Sequence, residues 1–265
     1  MTRRAAVLIF LNVLAMLRMV GTTWVYEVVP VHAKPVSSVN DSSQLILVVG
    51  KHWRSSEAVL QRFERSTGSP SEWKPVGTPY AVSIGNNGFA WGIGKHDQTG
   101  LLGPVMDEGD MRTPAGIFPV SGSFGYQPRA EVGSLKVPYT QLTDYDVCVD
   151  DPESQYYNQV ISTTKVSRSA WKSGEEMTQG GGYKLAILFD QNPAPSVARR
   201  GSCLYIHVGP TEGGTYGCTT LGENELREIL SWLDITKKPM LAQLPEHVFR
   251  RVYKDWGLPE PDQSS

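Results

Sequence analysis

Short apolar or alternating segments, bounded by glycine, proline and asparagine, run through most of this chain and restrict the folds open to it. The 265 residues include 26 glycines and 18 prolines, which punctuate the chain as turns. Segments of this kind are typical of strands. They cover residues 44–49, 80–84, 89–93, 116–120, 184–189 and 239–244. The sequence therefore predicts a mainly β fold with a few helices, either a sandwich or an open barrel.

Four other segments complete the predicted framework. Residues 55–65 carry apolar side chains at helical spacing, which predicts a short helix. Residues 85–88, with the sequence Gly-Asn-Asn-Gly, are typical of a hairpin turn. Residues 145–182 are polar and become rich in glycine, so we expect either a cap over a substrate groove or a passive surface insertion. A terminal helix is expected over residues 246–254.

The N-terminus has the pattern of a secretory signal peptide. Arg3 and Arg4 precede an apolar run over residues 5–17, and residues 31–33 (Val-His-Ala) resemble a cleavage site. Arg18 interrupts the run before it reaches the roughly 20 residues that a spanning helix needs. Cleavage is therefore favoured over an uncleaved anchor. The sequence predicts export to the periplasm or cell envelope, with no stable membrane span after cleavage.

Residues 201–233 combine a strand, a loop and a helix start around one cysteine. Residues 201–208 alternate as a strand whose end carries His207, and the following loop contains four glycines. Thr220-Leu221-Gly222-Glu223 has the form of a capping box and is followed by apolar residues at helical spacing. We therefore expect Thr220 to be the N-cap and Cys218 to lie two residues before the helix.

Cys218 at a helix N-terminus would have the setting of a reactive thiol. Free amides and the helix dipole lower a thiol pKa from its ordinary value of about 8.5. His207 is then the candidate base, and the backbone amides of Tyr216 and Gly217 are candidates for an oxyanion hole. Cys203 is disfavoured, because four residues of extended strand hold it roughly 13 Å from His207. Singly, such a cysteine or histidine is more often a structural residue.

These residues bring the chain close to a known family. His207, followed by a loop and Thr215-Tyr216-Gly217-Cys218, resembles the catalytic segment of the L,D-transpeptidase catalytic-domain family, whose signature is a histidine on a strand and then Ser/Thr-x-Gly-Cys. Residues 113–118 (Thr-Pro-Ala-Gly-Ile-Phe) resemble the other recurrent stretch of the family, Thr-Pro-x-Gly-x-Phe. The resemblance spans roughly residues 44–245.

The resemblance implies an L,D-transpeptidase-like β sandwich or open barrel with the catalytic cysteine before a helix N-terminus. It also implies acyl transfer on peptidoglycan stem peptides through a thioester on Cys218, forming cross-links. The chain departs from the family at Tyr216, where a second histidine is common, and at Thr220, where an arginine is common. Water as the acceptor would make the protein an L,D-carboxypeptidase or amidase. A non-catalytic cell-wall binding domain is the other alternative.

The sequence patterns at the two ends, together with the resemblance between them, divide the chain into a predicted signal peptide, linker, catalytic domain and C-terminal segment. These are residues 1–33, 34–43, 44–245 and 246–265. Within the catalytic domain, Arg112 and Thr215 are candidate substrate contacts, since an arginine can hold a peptide carboxylate through two parallel hydrogen bonds. An arginine in this setting is more often a solvated surface residue.

The remaining composition bears on cysteine pairing, cofactors and partners. Three cysteines in an oxidising compartment favour a Cys148–Cys203 disulfide with Cys218 free, and the alternative is two buried free thiols. The five histidines are scattered without the spacing of a metal site, so no metal or other cofactor is expected. A net charge of −2 and the lack of a Lys/Arg-rich run give no indication of nucleic-acid binding.

Overall fold

The fold is known from a computed structural model that describes residues 39–66, 72–98 and 100–261 in full. Before them it describes the backbone of β1 (Ala15–Val20) and β2 (Thr23–Val28), which pair antiparallel. Contacts divide the chain into two compact units, Met1–Val36 and Ser37–Ser265. Apart from these two strands, the predicted signal peptide over residues 1–33 lies outside the described residues, so it stays a prediction.

The larger unit is mainly β, as expected from the short alternating segments. Its strands are β3 (Gln44–Gly50), β4 (Glu57–Glu64), β5 (Lys74–Ser83), β6 (Phe89–Trp91), β7 (Thr113–Gly125), β8 (Tyr139–Gln141), β9 (Asp146–Cys148), β10 (Val160–Ser162), β11 (Glu175–Glu176), β12 (Leu185–Phe189), β13 (Ile206–Val208), β14 (Thr219–Leu221) and β15 (Met240–Pro245). Its α-helices are α1 (Glu223–Trp232) and α2 (Glu246–Trp256).

The main sheet returns on itself as a barrel-like ring. The hydrogen-bonded order is β12-β13-β14-β5-β4-β3-β15-β7, and β7 also pairs with β12. The pairing of β14 with β5 is the narrowest contact of the ring, with Thr220 opposite Ser83. Apolar side chains from the strands and both helices form one large core cluster, which includes Leu45, Phe118 and Ile229. The architecture is therefore closed where the sequence predicted a sandwich or an open barrel.

The helix predicted over residues 55–65 is wrong, because this segment forms β4 between β3 and β5. Ala58 and Leu60 are buried, whereas Val59 between them is 51% exposed. Val59 and Phe63 are four residues apart, a spacing that places two side chains on one face of either a helix or a strand. Residues 57–64 form a strand because they pair with β3 on one edge and with β5 on the other, and a local sequence pattern does not reveal such pairing.

The hairpin predicted at residues 85–88 is a turn without a hairpin. The N–H of Gly88 donates to the carbonyl of Gly85 at 2.8 Å, which closes the turn. The strands on its two sides do not pair with each other: β5 pairs with β4 and β14, and β6 pairs in parallel with β7. The turn therefore moves the chain to another part of the sheet.

The folded unit that contains residues 44–245 extends beyond them at both ends. Val39, Ser42 and Ser43, in the predicted linker, are buried. Helix α2 packs its buried face, which includes Phe249 and Trp256, into the main core cluster. The linker end and the terminal helix therefore belong to the same folded unit. Among the described residues, no helix has the length and apolar character needed to cross a membrane.

The predicted insertion over residues 145–182 contains a small sheet of its own. Strand β9 lies between β10 and β11, and both pair with it antiparallel. A disulfide bond between Cys148 at the end of β9 and Cys203 before β13 ties this sheet to the main one. Glu175 and Gln179 of the insertion line the cavity described below. The insertion is therefore part of a cavity wall.

Candidate active site

A cavity of about 570 Å³ lies where three segments that are distant in sequence meet. Its lining comes from residues 106–112 before β7, from the insertion and the segment up to Tyr183, and from the chain between residues 201 and 220. Among the side chains proposed from the sequence, those of Cys218, His207, Arg112, Thr215 and Tyr216 all reach this cavity. Residues more than 100 positions apart are thus brought to one site.

Cys218 lies before a strand, contrary to the expectation of a helix N-terminus. Thr219–Leu221 form β14, which pairs in parallel with β13, and helix α1 begins at Glu223 with Gly222 as its N-cap. Thr220 is therefore a strand residue, and its hydroxyl donates to the carbonyl of Pro210 at 2.6 Å. Pairing with β13 uses the residues that a capping box would need, so the predicted cap is wrong.

The expected low pKa of Cys218 is also wrong. Burial, as the larger cause, and the negative charge of Glu175 together raise the pKa of this thiol to about 12. A hydrogen bond from the N–H of Tyr205 to Sγ, at 3.4 Å, acts in the opposite direction and is too weak to compensate. Cys218 is therefore a protonated thiol at neutral pH and needs a base at the moment of attack.

The ring of His207, on β13, has one nitrogen that can accept a proton. Its Nδ1 lies 2.9 Å from the carbonyl oxygen of Val208. Because a carbonyl oxygen only accepts, Nδ1 carries the proton of the neutral ring and Nε2 is left as the acceptor. Burial lowers the pKa of His207, although hydrogen bonds to the backbone oppose this effect. Among the described contacts, no hydrogen bond joins the ring to Cys218 Sγ.

Position 217 requires a glycine, because its backbone conformation and its neighbours leave no room for a side chain. It has a φ of +135°, and a Cβ atom there would lie 2.9 Å from the carbonyl oxygen of Arg112 and from a methyl carbon of Leu204. Its N–H donates to the hydroxyl of Thr215 at 3.0 Å, and the same hydroxyl donates to the carbonyl of Cys218 at 2.6 Å. The loop before Cys218 is thus held by internal hydrogen bonds.

These bonds revise two sequence-based roles. The Gly217 amide, expected in an oxyanion hole, is occupied by Thr215, and the Thr215 hydroxyl, expected to contact substrate, is used inside the loop. The backbone N–H groups of Tyr216 and Cys218 have no acceptor among the residues that the structure describes. The Tyr216 side chain is 86% exposed at the cavity mouth. The candidate oxyanion donors are therefore Tyr216 and Cys218.

Arg112 is a fixed part of the cavity wall. Its Nη1 donates to the carbonyl oxygens of Asn87 at 2.6 Å and Phe89 at 3.0 Å, which leaves Nε and Nη2 for a ligand. Five acidic side chains share the lining: Asp107, Glu108, Asp110, Asp150 and Glu175. Arg112 is the one lysine or arginine among the described lining residues. The cavity as a whole attracts cations.

Tyr183 and Glu175 are functional candidates that the sequence did not reveal. The Tyr183 ring is 5% exposed, and its centroid lies 4.8 Å from that of His207. Its hydroxyl lies 2.9 Å from Glu175 Oε2 and 4.0 Å from Cys218 Sγ. Glu175 stands in the stretch that the sequence identified only as an insertion, Tyr183 directly follows that stretch, and neither belongs to a motif. Tertiary contact alone brings them to Cys218.

The Cys148–Cys203 disulfide leaves Cys218 as the free cysteine of the described chain. Cys203 has a φ of +56°, which ends extended backbone at this point. The strand predicted from residue 201 therefore begins only at Ile206. The disulfide connects the cavity wall formed by the insertion to the strand that carries His207.

No known protein family model matches this chain, and no curated protein is similar enough to be matched with it. The chemistry of the site therefore has to be inferred from its own residues.

Proposed function

We propose that this protein is a cysteine-dependent L,D-transpeptidase that acts on peptidoglycan stem peptides. One observation carries the proposal: Cys218 and His207, which were selected from a sequence motif, line the same cavity. The second motif contacts the loop before Cys218. Thr113, the first residue of that second motif, donates to the carbonyl oxygen of Gly217. The two stretches that resemble the family thus form one structural unit.

The proposed reaction begins with transfer of the thiol proton to Nε2 of His207. The resulting thiolate attacks the carbonyl carbon of a stem-peptide amide, forming a C–S bond. Backbone N–H groups of Tyr216 and Cys218 stabilise the oxyanion. The C–N bond then breaks, the leaving amine takes the proton from His207, and an acyl thioester remains on Cys218. An acceptor amine attacks that thioester, the C–S bond breaks, and the proton lost by the amine restores the Cys218 thiol as the cross-link forms.

Without substrate, Cys218 and His207 are both neutral, and this charge state is compatible with activation of the thiol by substrate binding. A thiol with a raised pKa and a neutral imidazole carry no net charge, so neither needs a counterion in the empty site. Moving the proton creates an ion pair, and bound substrate excludes water from around it and strengthens its attraction. Cys218 therefore stays unreactive until a peptide occupies the cavity.

The charge of the cavity supports an amine as the second substrate. Its acidic side chains outnumber Arg112, and the pairing of Asp107 with Arg199 at 3.0 Å neutralises only part of this excess. A negative potential raises the local concentration of amines, which approach as ammonium ions. Arg112 remains available for one carboxylate of the donor peptide.

The fold and the disulfide fit the proposal in a coarser way. A mainly β ring with two helices packed on its core is compatible with an L,D-transpeptidase-like domain, with the cysteine preceding β14 where a helix N-terminus was expected. The Cys148–Cys203 bond fits an oxidising compartment such as the periplasm or cell envelope.

Acylation by a carbapenem, followed by intact mass, is the decisive experiment. We expect one adduct on the wild-type protein and none on Cys218→Ala. Thr220→Ser provides a matched control, because it changes a neighbouring cavity residue and keeps both the thiol and the hydroxyl that donates to Pro210. A protein without a Cys218 adduct would be a non-catalytic wall-binding domain.

Incubation with purified muropeptides then identifies the acceptor. Cross-linked dimers that depend on Cys218 support the transferase. Shortened monomers without dimers would show that water is the acceptor, and the protein would be an L,D-carboxypeptidase or amidase.

A further inference from the structure

Tyr183 contacts both members of the proposed catalytic pair. Its hydroxyl oxygen lies 4.0 Å from Cys218 Sγ, within the range of a weak sulfur hydrogen bond, and its ring packs edge-on against the ring of His207. The ring is buried and also packs against Phe124 and Tyr205, so its position is fixed. The Tyr183 hydroxyl is therefore held at a constant position beside the proposed nucleophile.

The direction of the hydrogen bonds around this hydroxyl is determined by Glu175. A carboxylate only accepts, so Tyr183 donates its proton to Glu175 Oε2 at 2.9 Å. The lone pairs of the Tyr183 oxygen are then free to accept from Cys218. The thiol has a second acceptor in the carbonyl of Cys203 at 3.6 Å. A carbonyl cannot pass a proton on, whereas the Tyr183 hydroxyl can.

We propose that Tyr183 and Glu175 form a proton relay that takes the Cys218 proton in competition with, and faster than, direct transfer to Nε2 of His207. The inference rests on the proposed function, because it assigns a path to the proton released in that reaction. Tyr183 is the catalytic residue of the relay, since it touches the reacting sulfur. Glu175 acts through Tyr183, positioning its hydroxyl and receiving its proton.

The step balances within the site. The thiol proton moves to Tyr183 Oη while the Tyr183 proton moves to Glu175, so the products are a Cys218 thiolate, a neutral tyrosine and a neutral glutamic acid. The thiolate forms the C–S bond and the amide C–N bond breaks. The proton on Glu175 returns through Tyr183 to the leaving nitrogen, which departs as a neutral amine. Glu175 is again a carboxylate, and no oxidant or external base is needed.

The relay removes an electrostatic conflict. A carboxylate at Glu175 opposes a thiolate at Cys218, and it contributes to the raised pKa of that thiol. When Glu175 takes up the proton, the two negative charges never coexist. Burial raises the pKa of Tyr183 far above its ordinary value. Tyr183 therefore passes protons on without becoming a stable phenolate.

The surroundings of Glu175 favour a carboxyl that can hold a proton. Its side chain is exposed and lines the cavity, yet the protein around it removes part of its hydration and raises its pKa. The hydrogen bond from Tyr183 opposes this rise, and the charge of Asp150 adds to it. The ionisable groups that face it are Tyr183, Asp150, Cys218, Tyr205 and Tyr126. None of these groups is a cation that would hold Glu175 ionised.

Two readouts on the same variants test the relay. Glu175→Gln keeps an acceptor for the Tyr183 hydroxyl and cannot take up its proton. We expect its carbapenem acylation rate to fall about 100-fold, the scale of general acid–base catalysis. Its rate of alkylation by iodoacetamide should equal or exceed that of wild type, because loss of a negative charge lowers the thiol pKa. Opposite directions in the two assays are the signature of the relay.

Tyr183→Phe should show a similar loss of acylation, and the double variant should lose no more than either single variant, because both act on one proton path. Glu176→Gln, its neighbour on β11 and outside the cavity lining, is the matched control and should behave as wild type. The acid limb of the acylation profile should shift in Glu175→Gln and stay in place in Glu176→Gln.

The other outcomes overturn the relay. If Glu175→Gln accelerates both reactions, Glu175 acts only by repulsion, and if it slows both, Glu175 is only structural. A wild-type protein that alkylates but forms no carbapenem adduct contradicts the proposed function itself, and the relay with it. An active wild type with an equally active Glu175→Gln contradicts the relay alone.

Discussion

The hydroxyl of Thr113 donates a hydrogen bond of 2.8 Å to the carbonyl oxygen of Gly217, and both residues are buried. The same hydroxyl accepts from the N–H of Gly85 at 2.9 Å. Three segments that are distant in sequence are thereby held together one residue away from Cys218. The first residue of the Thr-Pro-Ala-Gly-Ile-Phe stretch therefore supports the nucleophile loop directly.

Thr113→Val should destabilise the protein and slow acylation. Valine preserves the shape but leaves the Gly217 carbonyl and the Gly85 N–H without partners, which costs about 1–3 kcal/mol each when such groups stay buried. Urea unfolding measures the loss of stability, and carbapenem acylation measures the effect on Cys218. Thr113→Ser retains the hydroxyl and should recover most of both. Wild-type values for Thr113→Val would show that this bond is unimportant.

Gly217→Ala should abolish activity, because two costs combine at this position. A residue with a side chain is strained at a φ of +135°, by roughly 1–3 kcal/mol. Its Cβ would also meet the Arg112 carbonyl at 2.9 Å and push the loop away from it. Gly213→Ala is the matched control, since Gly213 has a φ of +90° with no atom within 4 Å of a built Cβ. Equal acylation rates for the two variants would contradict the steric role.

Cys218 should behave as a high-pKa thiol when no substrate is bound. With a pKa near 12, its thiolate fraction rises with pH throughout the range in which the protein is folded. The iodoacetamide rate should therefore increase about tenfold per pH unit from pH 7 to 10, following the thiolate fraction. The denatured protein, with a pKa of about 8.5, should level off near pH 9. A plateau below pH 8 in the folded protein would falsify the raised pKa.

His96 should make the fold sensitive to acid. It is packed against Trp91, Phe118 and Trp256, and burial lowers its pKa from 6.5 to about 4. As the pH falls, His96 takes up a proton at about pH 6.5 in the unfolded chain and only at about pH 4 in the folded chain. Stability is therefore full above pH 6.5 and falls between these values, by about 3 kcal/mol in total.

Urea unfolding at pH 7, 5 and 4 measures this loss. His96→Gln should show a slope against pH that is smaller by one proton, although it starts from a lower stability. His207 also has a lowered pKa, so the comparison is between the slopes of variant and wild type. An unchanged slope in His96→Gln would assign the acid sensitivity to other groups.

Several features could be predicted from local sequence alone. The short apolar runs over residues 44–49 and 184–189 mark strands that the structure contains, because strands buried on both faces appear in the sequence as continuous apolar segments. Cys218 and His207 were selected by short-range spacing, which tertiary structure does not alter. The Cys148–Cys203 pairing followed from the odd number of cysteines and the expected compartment, and the two are bonded.

Other features were decided only when distant segments met. The capping box at Thr220 lost to pairing between β13 and β14, and the apolar spacing over residues 55–65 became a strand because β3 and β5 flank it. The raised pKa of Cys218 and its contact with Tyr183 depend on burial and on an approach across 35 residues. Sequence spacing selects residue types and local periods, whereas hydration and long-range contact, which set protonation and proton paths, exist only in the folded protein.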